Sequence, residues 1–260
     1  MINSHKAVTN NLKNNLKRKL QNGDLCLGTW LTIGNPDIVD MLKNLEFDWF
    51  VFDTEHSYLS YETAKTMMQA LGEESRATPI VRVGISDQLL VKKALDIGAH
   101  GILVPLVNSG KDAENVVKYA MYPPRGIRGA GAARAQAYGI KMAEYLRNAN
   151  DEILIAVQIE TTQALANMDE IISTKGVDIA FVGPTDLTMS LGFIDDRWNP
   201  KVVESMTKVV KSCQDHGKSP GIMAVSVEEA RKWIDLGFKF VSLASDAKLL
   251  VSGAKSFLKR

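Results

Sequence analysis

A closed (β/α)8 barrel of the TIM type, a single α/β domain, is the fold class predicted for this 260-residue chain. Three observations predict it. Eight short apolar runs rich in β-branched or aromatic residues alternate with eight segments of helical period. The third to the seventh runs are nearly continuous in hydrophobicity, as strands buried on both faces are. Polar clusters follow the second, third, fifth and sixth runs, which suits a ring of strands sharing one mouth. An open sheet would gather its ligands at one switch point instead.

The runs cover residues 27–32, 48–52, 79–83, 101–107, 153–159, 178–183, 219–225 and 238–244. Between them, 37–45 presents Ile38, Met41, Leu42 and Leu45 on one side. The segment 60–71 opens on a Ser60 cap and carries Ala64, Met67, Met68 and Leu71, while 87–97 carries Leu90, Val91, Ala94 and Ile97. Residues 111–119, 162–172, 200–216, 227–236 and 247–258 follow the same period. Gly98, Gly217 and Gly237 stand just past three of these segments, where a helix ends most cheaply on glycine. Ahead of the barrel, which is expected over 23–260, residues 1–22 form a tail in which Leu12, Leu16 and Leu20 predict a short amphipathic helix. Residues 121–150 are the irregular stretch, read as a lid or a subunit contact.

Composition excludes several functions. Lys and Arg total 31 against 30 Asp and Glu, so no field recruits nucleic acid or an anionic membrane. No apolar run approaches the roughly 18 residues needed to span a bilayer. Cys26 and Cys213 lie far apart and outside any CxxC pattern, which predicts reduced thiols and a cytoplasmic address. The N-terminal residues lack the apolar segment of a secretory signal.

Chemistry concentrates where the runs end. Glu160 and Asp186 close neighbouring runs, so two carboxylates converge where a hard divalent cation would bind with positions left for substrate oxygens. His56, in Asp53-Thr54-Glu55-His56, is the candidate general base, with Asp53 or Glu55 to orient its ring. His5 lies in the tail, His100 at the barrel bottom and His216 at a helix end. Arg82 either stabilises an enolate or carboxylate, or pairs internally with a mouth carboxylate. Arg125, Gly126, Arg128, Gly129 and Gly131 form a cationic glycine-rich loop, equally readable as an anion cradle, a solvated turn or a subunit contact.

From about residue 25 to 250 the chain resembles the HpcH/HpaI family of metal-dependent (class II) pyruvate aldolases. The motifs that carry the resemblance are Gly28-Thr29-Trp30, Phe52-Asp53-Thr54-Glu55-His56, Pro79-Ile80-Val81-Arg82, Leu103-Val104-Pro105, Tyr122-Pro123-Pro124-Arg125-Gly126, Gln158-Ile159-Glu160 and Gly183-Pro184-Thr185-Asp186-Leu187. The resemblance implies a phosphoenolpyruvate/pyruvate-type barrel whose last helix is exchanged between subunits, in a hexamer built from dimers. It implies Mg²⁺, Mn²⁺ or Co²⁺ on Glu160 and Asp186, His56 as base, Arg82 on the enolate, and Gln158 and Thr185 lining the substrate site. Asp96 matches a carboxylate that supports the histidine from a neighbouring subunit, with Asp53 the closer candidate by sequence. Thr54 and Thr185 depart from the glycine and alanine of many relatives, which bears on aldehyde preference.

The expected reaction is reversible cleavage of a 4-hydroxy-2-oxo acid, of the 2-keto-3-deoxy sugar acid or dicarboxylate type, to pyruvate and an aldehyde. A citramalyl- or malyl-CoA-type lyase is the second enzyme reading, disfavoured because those relatives carry additional C-terminal structure. A non-catalytic metabolite-binding barrel is the third.

Overall fold

The structure, a computed structural model, describes residues 13–258. Eight parallel strands close in sequence order into a barrel. They are β1 (Cys26–Leu31), β2 (Trp49–Asp53), β3 (Thr78–Arg82), β4 (Gly101–Val104), β5 (Leu154–Ile159), β6 (Ile179–Val182), β7 (Ser219–Ala224) and β8 (Phe240–Ser245). Each predicted run holds one strand, with ends shifted by a few residues.

Strand alternation sorts the side chains into two cores. Phe50, Phe52, Val81, Ile102, Val104, Ile155, Val157 and Ile159 point outward to the helices and are buried there. The opposite parity points inward, where Trp30, Trp49, Val51, Ile80, Leu103, Leu154, Ala156, Phe181 and Phe240 fill the barrel. Trp49 stacks on Phe240 with ring centroids 3.9 Å apart. Its indole lies where Gly28 has no side chain; a Cβ there would sit 2.0 Å from the ring. Glycine at 28 is thus a packing requirement.

The helices are α1 (Asn15–Gln21), α2 (Pro36–Leu42), α3 (Tyr61–Leu71), α4 (Gln88–Asp96), α5 (Gly110–Ala120), α6 (Met142–Glu152), α7 (Thr162–Ala166), α8 (Met168–Ser173), α9 (Pro184–Ser190), α10 (Pro200–Asp215), α11 (Val227–Leu236) and α12 (Asp246–Leu258). Ser60, Asp87, Ser109 and Ser226 cap α3, α4, α5 and α11, each accepting from a first-turn amide. Helix α1 packs Leu16 and Leu20 into the inner core from below, as the tail's leucine spacing predicts; Leu12 and His5 lie outside the described residues. Lys17 ties that helix to Asp178 at 3.1 Å and to the Ile153 carbonyl at 2.8 Å.

Three differences from expectation have physical causes. The segment 162–172 is two helices, broken at Asn167, whose side-chain amide donates to the Asn108 carbonyl at 2.7 Å. Residues 121–150 contain a 3-10 turn (Arg134–Gly139) and all but the end of α6, whose buried contact rests on Tyr145 and Ala149, one helical turn apart. Helix α9 follows β6 directly, with Pro184 at its first position, where the missing N–H costs nothing. Among the described residues no helix is long and apolar enough to cross a membrane. Cys26 and Cys213 are free and buried, and burial pushes both thiols up to about 12, which leaves them unreactive near neutrality.

Candidate active site

The parity that fills the barrel also builds its mouth. On β2 the inward series Trp49, Val51 ends at Asp53; on β3, Ile80 ends at Arg82. On β5, Leu154 and Ala156 lead to Gln158 and then Glu160. Each polar residue therefore projects into the barrel opening at the strand C-terminal end, the place where barrels of this kind carry their chemistry.

Asp53 and Arg82 are register partners on adjacent strands. Their side chains form a two-pronged ion pair, with Nε donating to Oδ1 at 2.9 Å and Nη2 to Oδ2 at 2.7 Å. Nη1 lies 3.0 Å from Glu55 Oε2, and the guanidinium stands 4.3 Å from the Trp30 ring centroid. Asp53 and Arg82 are almost fully buried. The internal pairing considered for Arg82 is therefore present, yet it holds the guanidinium inside the mouth. Thr54 fixes the same strand end, its amide and hydroxyl both donating to the Arg82 carbonyl.

Asp53 takes the arginine and not the histidine. It reaches His56 through the backbone, Oδ1 accepting from the amides of Glu55 and His56 at 3.0 and 3.2 Å. The imidazole Nε2 stands 3.9 Å from Glu55 Oε1, so Glu55 is the carboxylate beside the ring. That ring lies on the rim, its side chain 68% exposed. Burial raises the Glu55 pKa, with Glu160 and Asp53 opposing its ionisation and Arg82 and His56 favouring it.

Glu160 follows β5 opposite Gly183, because Ile159 pairs with Val182. Its Oε1 accepts from the Leu106 amide at 2.8 Å, and Gln158 Nε2 donates to Oε2. Asp186, in the first turn of α9, reaches the same spot. A Cβ built on Gly183 would lie 2.8 Å from Glu160 Oε2 and 3.6 Å from Asp186 Oδ2. Glycine thus leaves both carboxylates room to occupy one hollow. Burial, with the charge of Asp186 adding to it, raises the Glu160 pKa. Nearby, Gln158 Oε1 is buried without a hydrogen-bond partner.

These features fit a divalent cation. Asp53 and Glu55 share the Arg82 guanidinium, which leaves Glu160 and Asp186 as the pair with the least compensation. Among the described residues no group of three or more His, Cys, Asp and Glu side chains forms a metal cluster. A carboxylate pair leaves coordination to be completed by small oxygen ligands, as a catalytic ion requires.

The remaining predicted residues sit as follows. Thr185 is exposed at the start of α9 and accepts from Arg197 Nη2 at 2.5 Å. Asp96 ends α4 and holds Arg128 at 2.7 Å, away from His56 within this chain. Arg128 is buried between Tyr122 and Tyr145, its carbon 4.6 and 5.6 Å from the two ring centroids. Arg125 pairs with Asp151 at 2.5 Å. The cationic loop is therefore pinned by internal pairs, which accounts for its arginines without an anion. A cavity of about 350 Å³ opens beside His100, Arg134, Glu73 and Arg76, at the barrel's opposite end from the mouth, and includes none of the predicted site residues.

Sequence reasoning missed three contributors. Trp30 supplies the ring against Arg82, though an inward parity shared with Trp49 could have placed it. Leu106 supplies a main-chain donor from a left-handed backbone (φ 53°), which no side-chain pattern announces. Arg197 comes from the segment between α9 and α10, with no strand end to flag it.

A closed parallel barrel with acids, an arginine and an amide converging at its strand ends defines a small-molecule-processing barrel protein. The chain belongs to the HpcH/HpaI aldolase/citrate lyase family, whose model matches residues 27–253. It is 34% identical over 250 residues to the 4-hydroxy-2-oxo-heptane-1,7-dioate aldolase of Salmonella dublin, covering 96% of this chain and 95% of that one. An HpcH/HpaI aldolase/citrate lyase family protein from Burkholderia cenocepacia J2315 superposes with a TM-score of 0.92 at 31% identity, over 95% of this chain and 98% of that one. The citrate synthase SbnG superposes with a TM-score of 0.83 at 28% identity, over 95% and 96%. The family and its aldolase relatives support a lyase acting on small molecules.

Proposed function

We propose that the protein is a class II, metal-dependent pyruvate aldolase that reversibly cleaves a 4-hydroxy-2-oxo acid to pyruvate and an aldehyde. The observation that carries this reading is the Glu160–Asp186 pair above Gly183, facing a guanidinium held in place by Asp53. Glu160 and Asp186 would hold Mg²⁺, Mn²⁺ or Co²⁺, which when bound supplies Lewis-acid polarisation of the substrate 2-oxo group.

The chain's own residues account for the proton and charge movements. His56, through a water, takes the 4-hydroxyl proton; the electrons of that O–H bond form the aldehyde carbonyl as C3–C4 breaks. The electrons of the broken bond become the pyruvate enolate, whose oxygen Arg82 stabilises with a preorganised charge. Protonation at C3 then yields pyruvate. Gln158 contributes its unpartnered Oε1 and Thr185 its exposed edge to the substrate-lining surface. The dicarboxylate acted on by the Salmonella relative, 4-hydroxy-2-oxo-heptane-1,7-dioate, is the first substrate to try.

The expected result is pyruvate release, detected by a coupled assay, that excess chelator abolishes and Mg²⁺, Mn²⁺ or Co²⁺ restores. Full activity in chelator, with borohydride trapping pyruvate on a lysine, would sink the reading in favour of Schiff-base chemistry. His56→Ala should keep metal binding yet slow cleavage by about 10²- to 10⁴-fold, the usual contribution of a positioned base. Unchanged kinetics would remove His56 from the mechanism. The family's citrate-lyase branch supports a CoA-ester lyase as second reading, separated by assaying a citramalyl thioester.

The same reading includes a homo-oligomer. Helix α12 packs little of itself on its own barrel: Leu250, Phe257 and Leu258 are 64%, 91% and 78% exposed. A second copy covering that helix, by exchange of α12 within a hexamer, accounts for the apolar face. Asp96 would then act on His56 of a neighbouring copy. Light scattering should give a native mass several times 28.6 kDa, falling when residues 250–258 are removed. A monomer at micromolar concentration would rule out the exchange.

A further inference from the structure

We infer that Arg197 is a specificity residue that binds a second carboxylate, carried on the aldehyde half of the substrate; this rests on the aldolase reading above. The guanidinium stands at the mouth one residue from Asp186, through the 2.5 Å bond from its Nη2 to Thr185 Oγ1. Its other terminal nitrogen, Nη1, is buried without a hydrogen-bond partner. The nearest acid, Glu229, lies 3.5 Å from Nη1, a loose approach, and its Oε2 is occupied by the Val225 amide at 2.6 Å.

The position is held by packing. Trp198, the next residue, stacks on the fully buried Trp233 with centroids 4.4 Å apart and planes 11° apart, and Lys232 covers that ring at 4.5 Å. The backbone at 197 is thereby fastened to α11, so the side chain is aimed at the mouth at little entropic cost on binding. Nη1 thus has a charged neighbour in Glu229 but makes no hydrogen bond, which leaves a buried donor for a better-placed acceptor to satisfy. Its fork matches a carboxylate, which would make stronger, charge-assisted bonds than the neutral Thr185 hydroxyl does.

Which carboxylate follows from place. The 2-oxo-acid end belongs to the inward strand residues Arg82, Gln158 and Glu160. Arg197 comes from the loop beyond α9, outside Asp186, with a quarter of its side chain in solvent. That is where the far end of an elongated substrate emerges.

The test compares the metal-loaded wild-type enzyme with Arg197→Met on 4-hydroxy-2-oxo-heptane-1,7-dioate and on 4-hydroxy-2-oxopentanoate, which lacks the second carboxylate. The ratio of kcat/KM, diacid over monoacid, should fall at least tenfold in the variant, through KM rather than kcat. Arg197→Lys should recover part of that ratio, which a misfolded variant would not permit. Equal losses on both substrates would overturn the inference. If the wild type releases pyruvate from neither, the aldolase reading fails, and calorimetric binding of 4-oxobutanoate decides Arg197 alone. Binding at least tenfold weaker in the variant supports it, and equal binding or none refutes it.

Discussion

Glu160→Gln should remove divalent-cation-stimulated cleavage almost entirely, lowering kcat/KM by about 10³-fold or more, as loss of several kcal/mol of charge stabilisation requires. The fold should survive. Glutamine keeps the volume, its carbonyl can accept from the Leu106 amide, and its NH₂ can donate to the orphaned Gln158 Oε1 after a flip of that amide. The same variant makes a pH prediction. Burial first, and Asp186 after the opposing Leu106 bond, raise the Glu160 pKa above its ordinary 4.5. A raised carboxylate contributes stability that is complete below the unfolded value and is lost as pH rises through the folded one. Without metal, Glu160→Gln should therefore melt higher than wild type at neutral pH, and the advantage should vanish at pH values below the ordinary glutamate range. Metal should raise the wild-type melting temperature but not the variant's. A variant still stimulated by Mn²⁺ would remove Glu160 from the metal site.

Arg82→Lys should cut kcat by about 10²- to 10³-fold with a smaller change in KM, the magnitude seen when one preorganised donor is lost from a developing oxyanion. Charge alone does not replace it. The fork on Asp53, the contact with Glu55 and the face of Trp30 need a planar guanidinium, and an ammonium can satisfy only part of that set. Arg82→Ala should also destabilise by about 3–5 kcal/mol, since it leaves the Asp53 carboxylate buried without its partner. The two variants separate roles: activity lost in both but stability lost chiefly in Ala points to a guanidinium that is both strut and reagent. Equal kcat in wild type and Lys would reduce Arg82 to a strut.

Much of this is readable in the sequence. Near-continuous runs such as 153–159 have the pattern of strands buried on both faces, and the polar residues that follow the second, third, fifth and sixth runs point to a shared mouth. What escaped has a common cause. Leu106 acts through its amide, and a backbone donor leaves no trace in side-chain chemistry. Helix α6 rests on Tyr145 and Ala149, too few apolar positions to stand out from a polar stretch. The choice between Asp53 and Glu55 as partner of His56 was open because both lie within three residues of it.

The sequence by itself determined the strand count, the parity that turns Asp53, Arg82, Gln158 and Glu160 inward, and the placing of Glu160 and Asp186 just beyond two neighbouring strands, Asp186 in the first turn of α9. Alternation has a period of two, so facing is settled locally. Only the tertiary structure decided that Asp53 grips Arg82, that Gly183 opens the hollow for Glu160 and Asp186, and that Arg197 reaches the mouth. Those are contacts between residues about 12 to 30 positions apart in the chain, and their distances depend on barrel closure and register, which no local pattern encodes.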